Sequence, residues 1–87
     1  MFTFRKWHIP ERMMDSIALY VEHGIPPGDF LRAVICNDLC EAVGRADDET
    51  VENLPAYVAY FWNEVPSSCW GSVDKMKHWM ETQRKVG

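Results

Sequence analysis

The segment RADDETVENLPAYVAYFWNEVP, residues 45–66, carries the strongest helical periodicity of this sequence. Its apolar residues recur at the spacing of one helix face and form a narrow arc: Val51, Leu54, Val58, Phe61, Trp62 and Val65. Asp47 is a candidate N-cap, and the carboxylates after it lie in the electropositive first turns. Pro55 predicts either a kink or a fresh helix start. The pattern predicts the longest helix over 48–65, with Tyr60 on the side opposite to the arc.

A second amphipathic pattern lies in IPERMMDSIALYVEHG, residues 9–24. Pro10 falls in the first turn and Gly24 follows the last one, which is the usual asymmetry of helix ends. One face carries a group of apolar residues: Met13, Met14, Ile17, Ala18, Tyr20 and Val21. Leu19 projects away from that face, either as a harmless exposed leucine or as part of a contact surface.

The segment HGIPPGDFLRAV, residues 23–34, predicts the start of another helix and a candidate anion site. Its prolines end the preceding helix, and Gly28 and Asp29 offer cap and first-turn chemistry. A helix start beside a glycine can also bind phosphate or carboxylate through free N–H groups, although Asp29 places a negative charge there. Arg32 and Arg45 flank the region and suit either paired contacts with an anion or ordinary salt bridges.

Asp38 predicts a break between two short helices. An unbroken helix through this region would place the carboxylate at the centre of an apolar arc, where a charge is unfavourable. A break just before Asp38 makes it an N-cap, with Glu41 reaching back as in a capping box. The short helix that follows then ends at Gly44.

The C-terminal part predicts a compact loop and a last helix. The loop PSSCWGS, residues 66–72, holds Ser67, Ser68 and Trp70 as candidate contact residues. Trp70 either plugs the end of the core or stacks on a base or a partner. Ser72 caps a helix with one apolar face. That face is formed by Val73, Met76, Trp79 and Met80.

The N-terminal residues 1–9 alternate aromatic and polar side chains, but a lone strand has no partner elsewhere in the sequence. We therefore expect an extended arm that packs on the helices. Together the patterns predict an all-α fold, a compact bundle of four to five short helices with an extended N-terminal arm. The whole chain, residues 1–87, is expected to form a single helical domain.

Composition and charge narrow the class of protein. The chain is 47% hydrophobic, 13% aromatic and 25% charged, within the range of globular domains. Its formal net charge of −4 argues against nucleic acid as a partner, because phosphate binding needs a basic face. No apolar run reaches the roughly 18–20 residues of a membrane span, and no secretion signal is evident. We expect a cytoplasmic protein that does not bind membranes.

Patterns typical of catalysis or metal binding are missing from the sequence. Cys36, Cys40 and Cys69 are odd in number and lack the paired spacing of a zinc module, which indicates reduced thiols that are mostly packed. The carboxylates of residues 47–52 are explained by their place at a helix start. Phosphate-loop, dinucleotide and serine-hydrolase patterns are absent. We therefore expect no enzyme activity, no metal and no cofactor.

Three motifs, in this order, resemble a family of small proteins encoded by tailed phages and prophages: GIPPGDFLRAV, NDLCEAVGRAD and NEVPSSCWGS. The similarity covers residues 12–80, and Pro55 and Cys40 depart from the family pattern. The family has no assigned activity, so no catalytic or binding residue is carried over. The resemblance implies a protein made inside an infected bacterium, dispensable for building the virion and directed at a host process.

These observations lead to two functional hypotheses. The first is a non-enzymatic phage protein that binds a host protein and inhibits a defence or regulatory component, through Leu19, Tyr60 and the Trp70 loop. The alternative is a sponge that sequesters a nucleotide-type signal, with the helix start and the two arginines holding phosphates and Trp70 stacking on the base. Self-association is compatible with both, since a small domain gains burial by forming oligomers.

Overall fold

A computed structural model describes residues 1–86, and helices dominate the chain with a small sheet added at its N-terminus. The sheet pairs strand β1 (Phe2–Phe4) with strand β2 (Trp7–Ile9). The described residues then form six helices: α1 (Glu11–His23), α2 (Asp29–Ile35), α3 (Leu39–Arg45), α4 (Asp48–Glu52), α5 (Leu54–Glu64) and α6 (Val73–Val86). A 3-10 turn over Ser67–Cys69 joins α5 to α6. The fold is mostly helical, as predicted, but it is not purely all-α.

Three predicted helix ends are confirmed, but the predicted end of α3 at Gly44 is wrong, because the helix continues to Arg45. Gly24 ends α1 with a left-handed φ of +68°. Asp38 caps α3, because its Oδ1 accepts a hydrogen bond from the Glu41 amide at 3.2 Å. Asp47 caps α4 in the same way, accepting from the amide of Thr50 at 2.7 Å. In each cap a carboxylate takes up one of the amide N–H groups that a helix start leaves free.

Pro55 marks a fresh helix start, so the single long helix predicted over 48–65 is divided into α4 and α5. Proline fits the first turn of a helix, where its missing N–H is not needed, and Pro55 occupies that position in α5. Asn53 forms the junction. Its Nδ2 donates to the carbonyl oxygen of Glu49 at 2.9 Å, and its Oδ1 accepts from the His8 amide at 3.0 Å. This division gives six helices, whereas four to five were expected.

The N-terminal residues form a β-hairpin, so the prediction of an extended arm without a strand partner is wrong. Phe2 pairs with Ile9 and Phe4 with Trp7, across a two-residue turn in which Arg5 has a φ of +54°. The partner strand lies within the same short segment, where the alternation continues after the turn. An isolated hairpin is marginal in water, and this one is stabilised by packing against α5.

The hydrophobic core lies between α1, α2, α5 and α6, with β2 contributing one buried residue, Ile9. Three large side chains at its centre are almost completely buried: Tyr20, Tyr57 and Phe61. The Tyr20 hydroxyl donates to the carbonyl oxygen of Cys69 at 2.6 Å, which ties α1 to the turn before α6. The Tyr57 ring meets Phe30 edge to face, with 5.0 Å between centroids, and so joins α5 to α2.

Helix α5 is rotated relative to its predicted orientation. Trp62 is 73% exposed and Val58 is 45% exposed, although the periodic arc assigns both to the packed side. Tyr60, predicted to project away from the core, is instead half-buried, and its ring meets Phe2 at 5.1 Å. The hairpin covers the Tyr60 side of α5, so Phe61 alone of the arc becomes fully buried. Because α4 ends at Glu52, Val51 is also out of phase with α5 and is exposed.

The predicted N-cap of α6 is confirmed, and its predicted apolar face is confirmed only in part. The Ser72 hydroxyl oxygen accepts from the Lys75 amide at 3.1 Å, as expected of an N-cap. Met76 is buried, and Trp79 is half-buried with its indole N–H donating to the Val21 carbonyl oxygen at 3.1 Å. Val73, predicted on the same face, is exposed, because it lies at the first position of the helix, beyond the edge of the core.

Candidate functional site

Arg32 and Arg45, predicted as anion-binding residues, line one cavity of about 290 Å³ between α2 and α3. Three carboxylates line the same cavity, and they belong to Asp29, Asp38 and Glu41. Two guanidinium groups against three carboxylates give the lining a formal charge of −1. The cavity therefore has no positive excess with which to hold a phosphate.

Arg45 is engaged by the carboxylates of this cavity. Its Nε donates to Glu41 Oε2 at 3.1 Å, and its Nη1 lies 3.6 Å from Asp29 Oδ2. The hydrogen bond that Arg45 donates to Glu41 and the negative charges of Glu41 and Asp29 raise the pKa of Arg45. The capping box predicted for α3 does not form, since the Glu41 side chain accepts from Arg45 and the Asp38 amide donates to the Ala33 carbonyl oxygen at 2.8 Å. Gly28 is exposed at the start of α2 and does not line this cavity.

The cavity also lacks an activated nucleophile. Cys36 lies in its wall, and partial burial raises the pKa of this thiol, with Arg32 opposing the shift. Its Sγ lies 3.7 Å from the Sδ of Met76, in a contact with α6. Cys69 is buried, and burial raises its pKa to about 11. Cys40 is exposed, so the prediction of packed thiols does not hold for it.

Trp70 lies apart from the two arginines, against α5. Its ring is tilted against Phe61 at 6.1 Å and meets Trp62 edge to face at 6.3 Å. Ser67 lines a hollow together with both tryptophans, whereas Ser68 is exposed and lines no part of it. The predicted site residues therefore do not converge: Asp29, Arg32 and Arg45 line the acidic cavity, and Ser67 and Trp70 line the hollow at the end of α5. Gly28, Ser68 and Tyr60 line neither.

The exposed side of α5 and its neighbours form a continuous apolar surface, which we call the Trp62 face. It comprises Phe4, Leu39, Leu54, Pro55, Val58, Trp62 and Trp70. Trp62 is the most exposed large side chain of this face at 73%, and Leu39 follows at 66%. A tryptophan exposed to this extent leaves a large apolar area in contact with water.

Three hollows adjoin one another on the Trp62 face. The first, of about 430 Å³, has no ionisable residue in its wall, which is formed by Phe4, Leu54, Pro55, Val58, Ala59, Trp62 and Asn63. The second, of about 80 Å³, shares Leu54 and Val58 with the first and extends to Leu39 and Trp70. The third, of about 360 Å³, is walled by Asn37, Trp62, Ser67, Trp70, Gly71 and Lys75. Shared walls make the three hollows parts of one surface.

Some residues of this surface are identifiable from the sequence, and others are not. Trp70 and Ser67 are identifiable because an aromatic residue in a polar loop has few structural reasons to be there. Trp62 and Val58 escape notice because their helical spacing is also that of core residues. Lys75 escapes notice because one lysine on an amphipathic helix carries no distinguishing signal. Leu19 is exposed, as predicted, but is not a wall of these hollows.

Comparison of this chain with known protein families, curated proteins and solved structures gave no match. Within residues 1–86, no helix combines the length and the hydropathy needed to cross a bilayer. Over the same residues, His, Cys, Asp and Glu side chains do not gather in threes in a way that could hold a metal ion. Packing of the core does not account for the Trp62 face, because Trp62 and Leu39 are largely exposed to solvent in the described chain.

Proposed function

We propose that this chain is a phage-encoded, non-enzymatic protein that binds a protein of the bacterial host through the Trp62 face. The observation that carries the proposal is the exposure of Trp62 at the junction of two hollows. Exposed apolar patches that contain large aromatic residues are typical of protein-binding surfaces. The phage origin, and with it the host cytoplasm as the place of action, is supported by the three sequence motifs.

The geometry of the Trp62 face suits binding by insertion. A protruding indole beside apolar hollows can enter a pocket on the partner while partner side chains fill the hollows. Full burial of one large apolar side chain contributes about 1.5–3 kcal/mol, so several such contacts are needed to offset the translational and rotational freedom that association costs. Tryptophan is among the residues whose truncation is most costly at interfaces, commonly about 2 kcal/mol or more.

The proposed mode of action is occlusion of a partner surface. A standard interface covers about 800 Å² per partner, which is roughly a seventh of the 5434 Å² accessible surface of this chain. A domain of this size can therefore cover a functional surface on a defence or regulatory protein without bond-making chemistry. The same apolar face is open to a second copy of the chain, and sedimentation velocity over a range of concentrations distinguishes self-association from partner binding.

The alternative function, sequestration of a nucleotide-type signal, draws on the shared position of Arg32 and Arg45. It ranks second because the cavity lining is net acidic and Arg45 is engaged by Glu41 and Asp29. Trp70, the proposed stacking residue, does not line that cavity. Mass spectrometry of small molecules retained after incubation with a nucleotide extract tests this function. A bound nucleotide that is lost in Arg32→Ala would place it first.

Replacing Trp62 by aspartate should abolish capture of the host protein. Tagged wild-type chain, incubated with lysates of several bacterial hosts, should retain one protein at near-stoichiometric amount. The Trp62→Asp variant should retain less than about a tenth of it, since a charge at this position must lose its hydration on binding. Stain intensity on gels, followed by titration of the purified partner, measures the difference.

Leu19→Asp is the matched control, because Leu19 is an exposed apolar residue that lies outside the Trp62 face. It should bind like the wild type. Unfolding curves of both variants establish that each is folded. Equal capture by the wild-type chain and Trp62→Asp, or no capture from any host, would contradict the proposed function.

A further inference from the structure

The third hollow of the Trp62 face differs from the other two in its chemistry. The first hollow has no ionisable residue in its wall, and the only ionisable residue in the wall of the second is the acidic Asp38. The third combines two tryptophans with Lys75 and Ser67, so it is the hollow whose ionisable residue is a cation. The rings of Trp62 and Trp70 meet at 82° with 6.3 Å between centroids, so they offer a ligand one face and one edge. Aromatic walls beside a single cation suit a group that is apolar at one end and anionic at the other.

The exposed Lys75 side chain passes over the bare backbone of Gly71 at this hollow. Gly71 has a φ of +119°, a conformation that L side chains rarely adopt. A Cβ placed on Gly71 would lie 3.5 Å from the Cδ and 3.6 Å from the Nζ of Lys75, so the lysine side chain extends across the bare glycine. The turn that precedes α6 therefore leaves room for the lysine side chain in the hollow that Trp62 and Trp70 also line.

The ammonium group of Lys75 has no carboxylate partner within the described part of the chain. The ion pairs there involve the N-terminus, Arg12, Arg45 and Lys85, but not Lys75. Arg45, by contrast, is engaged by two carboxylates. Lys75 is also the only ionisable group that walls the third hollow, so its charge is free to pair with a ligand.

We infer that the third hollow recognises an acidic side chain of the partner protein that lies next to a bulky apolar side chain. The apolar group packs against Trp62 and Trp70, and the carboxylate accepts hydrogen bonds from Lys75 Nζ and the Ser67 hydroxyl. This inference rests on the proposed function, because it specifies the chemistry of the segment that the Trp62 face binds. The net charge of −4 opposes approach only weakly, since the Debye length is about 8 Å at physiological ionic strength.

Two capped dipeptides test the inference, acetyl-Trp-Glu-amide and acetyl-Trp-Gln-amide, which differ only in the carboxylate. Each is titrated into the intact chain at low salt while the indole N–H resonances are followed by NMR. The glutamate dipeptide should shift the signals of Trp62 and Trp70 and should bind at least about threefold more tightly than the glutamine dipeptide, a ratio that exposed ion pairs reach. Added salt should reduce that ratio.

Variants of two lysines of α6 complete the test. Lys75→Gln should abolish the preference for glutamate, and Lys77→Gln should retain it, because Lys77 is exposed outside the hollow. Equal binding of the two dipeptides, binding of neither, or an unchanged preference in Lys75→Gln would overturn the inference.

The outcomes also separate this inference from the proposed function. Loss of host-protein capture in Trp62→Asp without any dipeptide preference would overturn only the acidic specificity. A clear glutamate preference without capture of any host protein would overturn only the proposed function.

Discussion

Replacement of Gly24 by alanine should lower the free energy of unfolding by about 2–4 kcal/mol, because the substitution combines backbone strain with a steric clash. Gly24 ends α1 at a φ of +68°, where any residue with a Cβ is strained. That Cβ would also lie 2.8 Å from the carbonyl oxygen of Met80 and 3.0 Å from the Cβ of Gln83. The Met80 oxygen belongs to the backbone of α6 and cannot rotate away, so α1 and α6 must separate.

Gly28→Ala is the matched control for this prediction. Gly28 has a φ of −68°, and no atom lies within 4 Å of the position that an alanine methyl group would occupy. Alanine should therefore change the unfolding free energy by no more than about 0.5 kcal/mol. Urea unfolding followed by circular dichroism measures both variants. Similar stabilities of Gly24→Ala and Gly28→Ala would show that α1 and α6 do not make this contact.

Truncation of Phe61 to alanine should cost about 3–5 kcal/mol, whereas truncation of its neighbour Trp62 should cost less than about 1 kcal/mol. Phe61 is fully buried, and its ring packs against Tyr60 and Trp70. Trp62 is 73% exposed, so its removal leaves no cavity in the core. Consecutive residues of one helix should therefore differ severalfold in their contribution to stability.

The same denaturation experiment checks this pair of variants. Since a small domain has a margin of about 5 kcal/mol or little more, Phe61→Ala should be partly unfolded even without denaturant. Trp62→Ala should unfold at a urea concentration close to that of the wild type. A loss of stability in Trp62→Ala as large as that in Phe61→Ala would contradict the orientation of α5, since Trp62 would then have to lie in the core.

Local signals in the sequence are sufficient to place most helix ends. The break at Asp38 is predictable because a continuous helix would bury its carboxylate, whereas a break lets the carboxylate cap the next helix. These two alternatives differ by several kcal/mol. The end of α1 at Gly24 is predictable for a similar reason, since few residues tolerate a positive φ. These features depend on residues within a few positions of one another, so no knowledge of the tertiary fold is required.

The orientation of α5 is not predictable from its own residues. Its segment has aromatic or branched side chains on nearly every side, so periodicity alone leaves two faces that could be buried. The hairpin of residues 2–9 decides between them by packing Phe2 against Tyr60. That contact joins two distant parts of the sequence, and the N-terminal segment alone predicts only an unpaired arm.

The candidate site shows the same division between local and tertiary information. The loop tryptophan Trp70 and the hydroxyl of Ser67 are identifiable from the sequence, and they do line one hollow. The predicted pair of Arg32 and Arg45 also shares a cavity, but the carboxylate of Asp29 lies on α2, and only the packing of α2 against α3 brings it to the carboxylates of Asp38 and Glu41. The Trp62 face follows from the rotation of α5, so it could be recognised only from the tertiary structure.

Paramagnetic broadening of the NMR signals of the four tryptophan indole N–H groups tests most directly whether the Trp62 face is open to solvent in the free chain. A neutral gadolinium chelate added to the ¹⁵N-labelled protein should broaden the Trp62 signal most, because Trp62 is the most exposed of the four. Trp79 should be affected least, because its indole N–H donates to the Val21 carbonyl oxygen. A Trp62 signal as protected as that of Trp79 would mean that the face is covered in the free chain, and it would contradict both the orientation of α5 and the binding surface built on it.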